Sequence, residues 1–129
     1  MSNQGYFKPE PNTLYKILTV LDGNKCLSIH TGLNKLAIQD YVNNAPNQQF
    51  HVYNNNGKYA FVNNNAAIRI INENKEDGAS LQPDSAQFPS SYFEIVPVSQ
   101  GEWAGKACYL KTFSGKVLDV KGGQPTANA

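Results

Sequence analysis

Thiols, imidazoles and carboxylates are the side chains here that could do covalent, acid–base or metal chemistry. The 129-residue chain holds two cysteines, two histidines and ten carboxylates. His30 and His51 lie 21 positions apart, on segments that alternate in polarity. No His/Cys/Asp/Glu group has metal-ligand spacing, so the sequence reading names no metal and no cofactor. Cys26 and His51 could pair as nucleophile and base only if something activated the thiol, and no local residue does. Asp22, Asp40, Asp77, Asp84 and Asp119, with five glutamates, sit mostly in turn-like segments. Without a set separation none of them forms a glycosidase pair. Lys121-Gly122-Gly123 reads as a turn, because no helix follows it to cradle a phosphate. These residues predict a protein that is not an enzyme.

Composition bounds the remaining classes. The formal net charge of +1 favours neither nucleic acid nor an anionic membrane as partner. No apolar run approaches the roughly 18–20 residues of a spanning helix, so membrane insertion is not expected. The first eleven residues lack the apolar stretch of a secretory signal. Sixteen asparagines occur without one Asn-X-Ser/Thr acceptor. A cytoplasmic or non-classically exported protein is therefore expected. Cys26 and Cys108, 82 positions apart, read as two free, buried thiols, with one long-range bridge as the alternative.

Such side chains need a framework, and the chain writes it in short strands. Asparagine clusters at 43–44, 54–56, 63–65 and 72–74, between short apolar segments. Asn55-Asn56-Gly57 reads as a hairpin turn joining strand 49–53 to strand 58–62. Period-two patterning places further strands at 14–20, 26–29, 35–39, 67–71, 79–82, 92–96, 108–112 and 116–120, with a turn at Asp22-Gly23-Asn24. No stretch of a dozen residues carries a helical stripe. The fold class is all-β, a sandwich or barrel.

Internal repeats narrow the architecture. Cys26-Leu27-Ser28-Ile29 aligns with Ala67-Ile68-Arg69-Ile70 and Val117-Leu118-Asp119-Val120, at offsets of 41 and 50. Leu14-Tyr15-Lys16-Ile17 aligns with Tyr59-Ala60-Phe61-Val62 and Tyr109-Leu110-Lys111-Thr112. Gln48-Gln49-Phe50 aligns with Ser91-Tyr92-Phe93 at 43. By this symmetry Phe50, Phe93, Leu27, Ile68 and Leu118 form the core.

Val117-Leu118-Asp119-Val120-Lys121-Gly122-Gly123 and Gln48-Gln49-Phe50 resemble the motifs of the ricin-B-type (Q-x-W) β-trefoil lectin family. The resemblance covers residues 14 to about 124. It implies a pseudo-threefold barrel with repeats at about 14–57, 58–106 and 107–129, after an N-terminal extension of residues 1–13. The third repeat lacks its last two strands within these residues. A longer polypeptide, strands donated by another chain, or residues 1–13 folding back would each fill the gap.

The resemblance also implies non-enzymatic carbohydrate binding. In the family an Asp on the second strand accepts bonds from two sugar hydroxyls, an aromatic ring stacks on the sugar, and an Asn/Gln pair completes the network. Carried over, the candidate carbohydrate-binding residues are Asp40, Tyr41, Asn47 and Gln48 in the first repeat and Asp119 in the third. Gln48 is also a candidate brace of the fold. In the second repeat Arg69 replaces the Asp and Ser91 the Gln, which abolishes the usual site, and Ser28 weakens the first. Glycans or glycoproteins are the implied partners. A structural or protein-interaction trefoil, with another chain at the open third repeat, is the alternative. A protease inhibitor acting through loops 83–91 or 99–106 is a further one.

Overall fold

The structure, a computed structural model, describes residues 9–10, 13–30, 35–71, 74–76, 81–85 and 89–118. Among the described residues ten strands follow in chain order: β1 (Leu14–Tyr15), β2 (Leu18–Thr19), β3 (Asp22–His30), β4 (Lys35–Asp40), β5 (Phe50–Asn55), β6 (Lys58–Asn63), β7 (Ala66–Ile70), β8 (Leu81–Asp84), β9 (Glu94–Pro97) and β10 (Cys108–Lys111). Short 3-10 turns at Pro46–Gln48 and Pro89–Ser91 lead into β5 and β9. The all-β expectation holds, and the fold is a β-trefoil.

Two kinds of strand pair build it. The barrel wall runs β1–β5–β6, continues through the Tyr59–Phe93 bridge to β9, and ends at β10. Hairpins β3–β4 and β7–β8 pack together through β4 and β8. Every pairing is antiparallel, so each wall strand turns one set of alternate residues inward. Phe50 and Val52 of β5, Tyr59 and Phe61 of β6, Ile68 of β7, Phe93, and Ile95 of β9 meet in one cluster. Phe50, Phe93 and Ile68 are fully buried. Each contributes about 1.5–3 kcal/mol by leaving water. Leu27 and Leu118 pack against the same cluster from the first and third repeats, as the symmetry requires.

The asparagine clusters have a backbone cause. Asn44, Asn56, Asn64 and Asn65 all adopt positive φ, and no other non-glycine residue described does. Asparagine tolerates the left-handed region because its short amide bonds locally. At the β5–β6 hairpin, Asn56 and Gly57 have φ of 55° and 89°, and the Gly57 amide donates to Asn54 Oδ1. That primed turn matches the strand twist.

The structure corrects several boundaries. Residues 14–20 are two strands rather than one, because β1 pairs with β5 while β2 pairs with β3. The turn expected at 22–24 lies earlier, at Val20-Leu21, where Thr19 Oγ1 accepts from the Leu21 amide. The strand expected at 79–82 runs on to Asp84 in β8, and residues 79–80 lie outside the described set. Val117 makes an isolated bridge to Lys111, and residues 119–129 also lie outside. The first-strand alignment is off by one residue. Tyr15 pairs with Phe50 as Tyr59 pairs with Phe93, so Tyr15, Tyr59 and Cys108 are equivalent.

β1 and β10, the outermost wall strands, are not hydrogen-bonded to each other. Between them lies a largely apolar groove of about 450 Å³. Ile17, Leu18, Val20, Trp103 and Leu110 form its sides, over a floor of Val52, Phe61 and Ile95. Cys108 is exposed at this groove rather than a core thiol, because among the described strands only β9 pairs with β10. Cys26 is free and buried as expected.

Candidate functional site

The first-repeat candidates lie where β4 ends and the chain turns toward β5. Asp40 closes β4, and Tyr41, 37% exposed, follows. Gln48, at the end of the first 3-10 turn, is buried. Its Nε2 donates to the Asp40 carbonyl at 2.8 Å, and its Oε1 accepts from the Val42 amide at 2.9 Å. Both ends of this amide therefore hold the backbone on either side of Tyr41. Gln48 positions the rim from beneath.

The exposed groups above it are already engaged with cations. The Lys25 ammonium donates to Asp40 Oδ1, the Lys16 Nζ sits 3.8 Å from the centroid of the Tyr41 ring, and Tyr41 Oη donates to Asn43 Oδ1. A hydroxylated ligand stacking on the ring face under Lys16 would have to displace that ammonium. Such exposed contacts are worth about 0.5–1 kcal/mol, so displacement is cheap. Ser28, at the family's Asp position, is fully buried and its Oγ donates to the Cys26 carbonyl at 3.5 Å.

Asn47 separates from this group. Its Nδ2 donates to the Ile29 carbonyl at 3.0 Å, and it lines a different cavity, with Gln49, His51 and Tyr53, of which Tyr41 is no wall. The structure thus brings Asp40, Tyr41 and Gln48 together and turns Asn47 elsewhere. Asp119 lies outside the described residues. Tyr53 and the Asn63-Asn64-Asn65 turn were not candidates in the sequence. The signal available was the outward phase of β5, where His51 and Tyr53 alternate with inward Phe50 and Val52.

In the second repeat Arg69, which stands in place of the Asp, is held by internal bonds. The Arg69 guanidinium, 9% exposed, donates to Asp84 Oδ2 at 3.1 Å and to the Ile70 carbonyl at 3.2 Å. Ser90 Oγ donates to the same carbonyl at 3.2 Å. Arg69 offers no acceptor and is committed inward. Among the described residues no group of His, Cys, Asp and Glu could hold a metal ion. Burial pushes the Cys26 thiol above its ordinary range, opposed in part by Ser28 and Lys16. A raised thiol is a poor nucleophile at neutral pH.

Solved structures share this architecture. The designed threefold-symmetric protein ThreeFoil superposes with a TM-score of 0.74 at 22% identity, over 90% of this chain and 84% of its own. The Polyporus squamosus lectin, solved bound to a sialylated human-type influenza-binding epitope, gives 0.75 at 12% identity over 95% of this chain. This chain spans 43% of that lectin's chain. SeviL, solved with the asialo-GM1 saccharide, gives 0.65 at 14% identity, over 89% of this chain and 86% of its own. Neither the protein-family models nor the curated protein sequences give a match. At these identities the likeness shows the fold alone, a β-trefoil.

Proposed function

We propose that this chain is a non-enzymatic, ricin-B-like carbohydrate-binding module with few working sites. The observation that carries the reading is the Asp40–Tyr41 rim, an exposed carboxylate and aromatic ring presented together and held from below by Gln48. A carboxylate accepts from paired hydroxyls, and a tyrosine face packs against the apolar C–H face of a sugar ring. Lectin neighbours solved with saccharides support the class. Asp119 is proposed to serve the third repeat, whereas Asn47 stands at a separate cavity. Sites of this depth bind single sugars weakly and gain by multivalency.

The test is a glycan array on the folded chain, followed by titration of the best ligand. Tyr41→Ala and Asp119→Ala should each weaken binding about tenfold at their own site. Silence across the array sinks the proposal.

A second reading, a protein-interaction trefoil, is favoured by the apolar groove between β1 and β10. Its proposed occupant is an extended strand with the aromatic-x-aliphatic pattern of Phe50–Val52 and Phe93–Ile95, added by backbone pairing. A peptide with that pattern should quench or shift Trp103 fluorescence saturably. A scrambled peptide that does the same would remove this reading.

A further inference from the structure

The outer face of the wall carries a second polar cavity of about 720 Å³, within the roughly 300–1,000 Å³ of small-molecule sites. Its floor is one row across three strands. Leu14 of β1 pairs with His51 of β5, which pairs with Val62 of β6. Two loops rise beside that row. One is the Pro46–Gln49 approach to β5, and the other is the Asn63-Asn64-Asn65 turn between β6 and β7. Tyr53, two residues beyond His51 and 52% exposed, stands with its ring 5.9 Å from the imidazole.

Three features define what the cavity can hold. First, among the described residues that line it there is no carboxylate, ammonium or guanidinium. Every polar side chain on its wall is an amide, an imidazole or a phenol, so its chemistry suits an uncharged ligand. Second, the fixed and the available amides are separate. Asn63 Nδ2 donates to the Pro46 and Gln49 carbonyls at 2.6 and 2.8 Å, and Asn47 Nδ2 donates to the Ile29 carbonyl, which ties the two loops to the strands. The amides of Gln49, Asn64 and Asn65 are not used in this lacing. Each offers a donor and an acceptor side by side, which matches a hydroxyl group. Third, the aromatic pair is not a demand of the fold. At the equivalent outward positions of the second repeat stand Glu94 and Val96, and Glu94 faces Lys58 instead.

We infer that this asparagine-lined cavity is a second saccharide site, binding one neutral pyranose with its apolar face on Tyr53 and its hydroxyls on Gln49, Asn64 and Asn65. The inference rests on the carbohydrate-binding reading but places the ligand on the opposite side of Asn47 from the Tyr41 rim. The left-handed turn at φ 46° and 68° directs the two amides while leaving their side chains exposed.

The experiment is a backbone-amide NMR titration of the folded chain with methyl β-galactoside, methyl α-mannoside and N-acetylglucosamine in turn. One of these should shift the amides of Tyr53, Asn64 and Asn65 saturably. Tyr53→Ala, and separately Asn64→Gly, should weaken that binding about tenfold, a loss near 1.4 kcal/mol. Asn64→Gly removes the amide yet keeps a residue at ease with positive φ, so the turn survives. Shifts confined to the Tyr41 rim overturn this inference and leave the proposed function standing. Shifts at neither place overturn both. Shifts at Tyr53 that both variants leave unchanged also overturn it.

Discussion

Leu27, Ile68 and Leu118 hold equivalent places in three repeats, yet only Ile68 is fully buried. The same contrast runs through the first strands. Tyr59 and Phe61 are buried, whereas Tyr15 and Ile17, and Cys108 and Leu110, are exposed or half-buried. The difference is the number of neighbours. β6 has a wall strand on each side, while β1 and β10 border the groove. Among the described residues, a repeated hydrophobic position is fully buried where the strand is paired on both sides. Burial belongs to the place, not to the residue type.

That contrast can be broken by substitution. Phe93→Ala, in the closed part, should cost about 3–5 kcal/mol in urea unfolding, against about 1–2 kcal/mol for half-buried Leu110→Ala at the groove. Equal losses would mean that the groove side packs as tightly as the rest. Next in size is Asp84→Ala. It strands the Arg69 guanidinium and should cost about 2–3 kcal/mol, below the roughly 3–5 of a fully buried pair because Asp84 is 26% exposed. Restoring neutrality with Arg69→Met in the same chain should return most of the loss.

Gln48→Ala should cost about 1–2 kcal/mol by releasing two backbone groups, and it should loosen the Tyr41 rim as well. Amide exchange at Val42 rising without a change at Phe93 would locate the effect. The cysteines sharpen the contrast chemically. Alkylation of the native chain should modify Cys108 and spare Cys26 until unfolding. The Cys26 thiol is raised by burial, so its contribution to stability is present below the ordinary thiol pKa and is lost as pH climbs through the raised one. Unfolding midpoints should therefore fall above about pH 9, and Cys26→Ala should flatten that fall.

Much of the architecture was legible because it repeats. The second-strand offsets of 41 and 50 match the observed pairings, in which the Leu27 amide donates to Ile17 and the Leu118 amide to Leu110. The first strands misled by one residue for a physical reason. Leu14 and Tyr109 are apolar yet exposed, and they flank the inward positions, so alternation alone has two phases. Gln48 was readable as a brace because its neighbours in sequence carry its motif. The asparagine-lined cavity was not readable. Its walls come from β1, the Pro46 turn, β5 and the Asn64 turn, and no local pattern joins them.

Of the four left-handed asparagines, Asn56 is the one most open to chemical ageing. An asparagine side chain is among the thermolabile ones, and Asn56 is followed by glycine, the least hindered successor for attack on its amide. Slow loss of that amide would place a carboxylate at the tip of the β5–β6 hairpin. The loops that let so short a chain turn so often are thus also its clock.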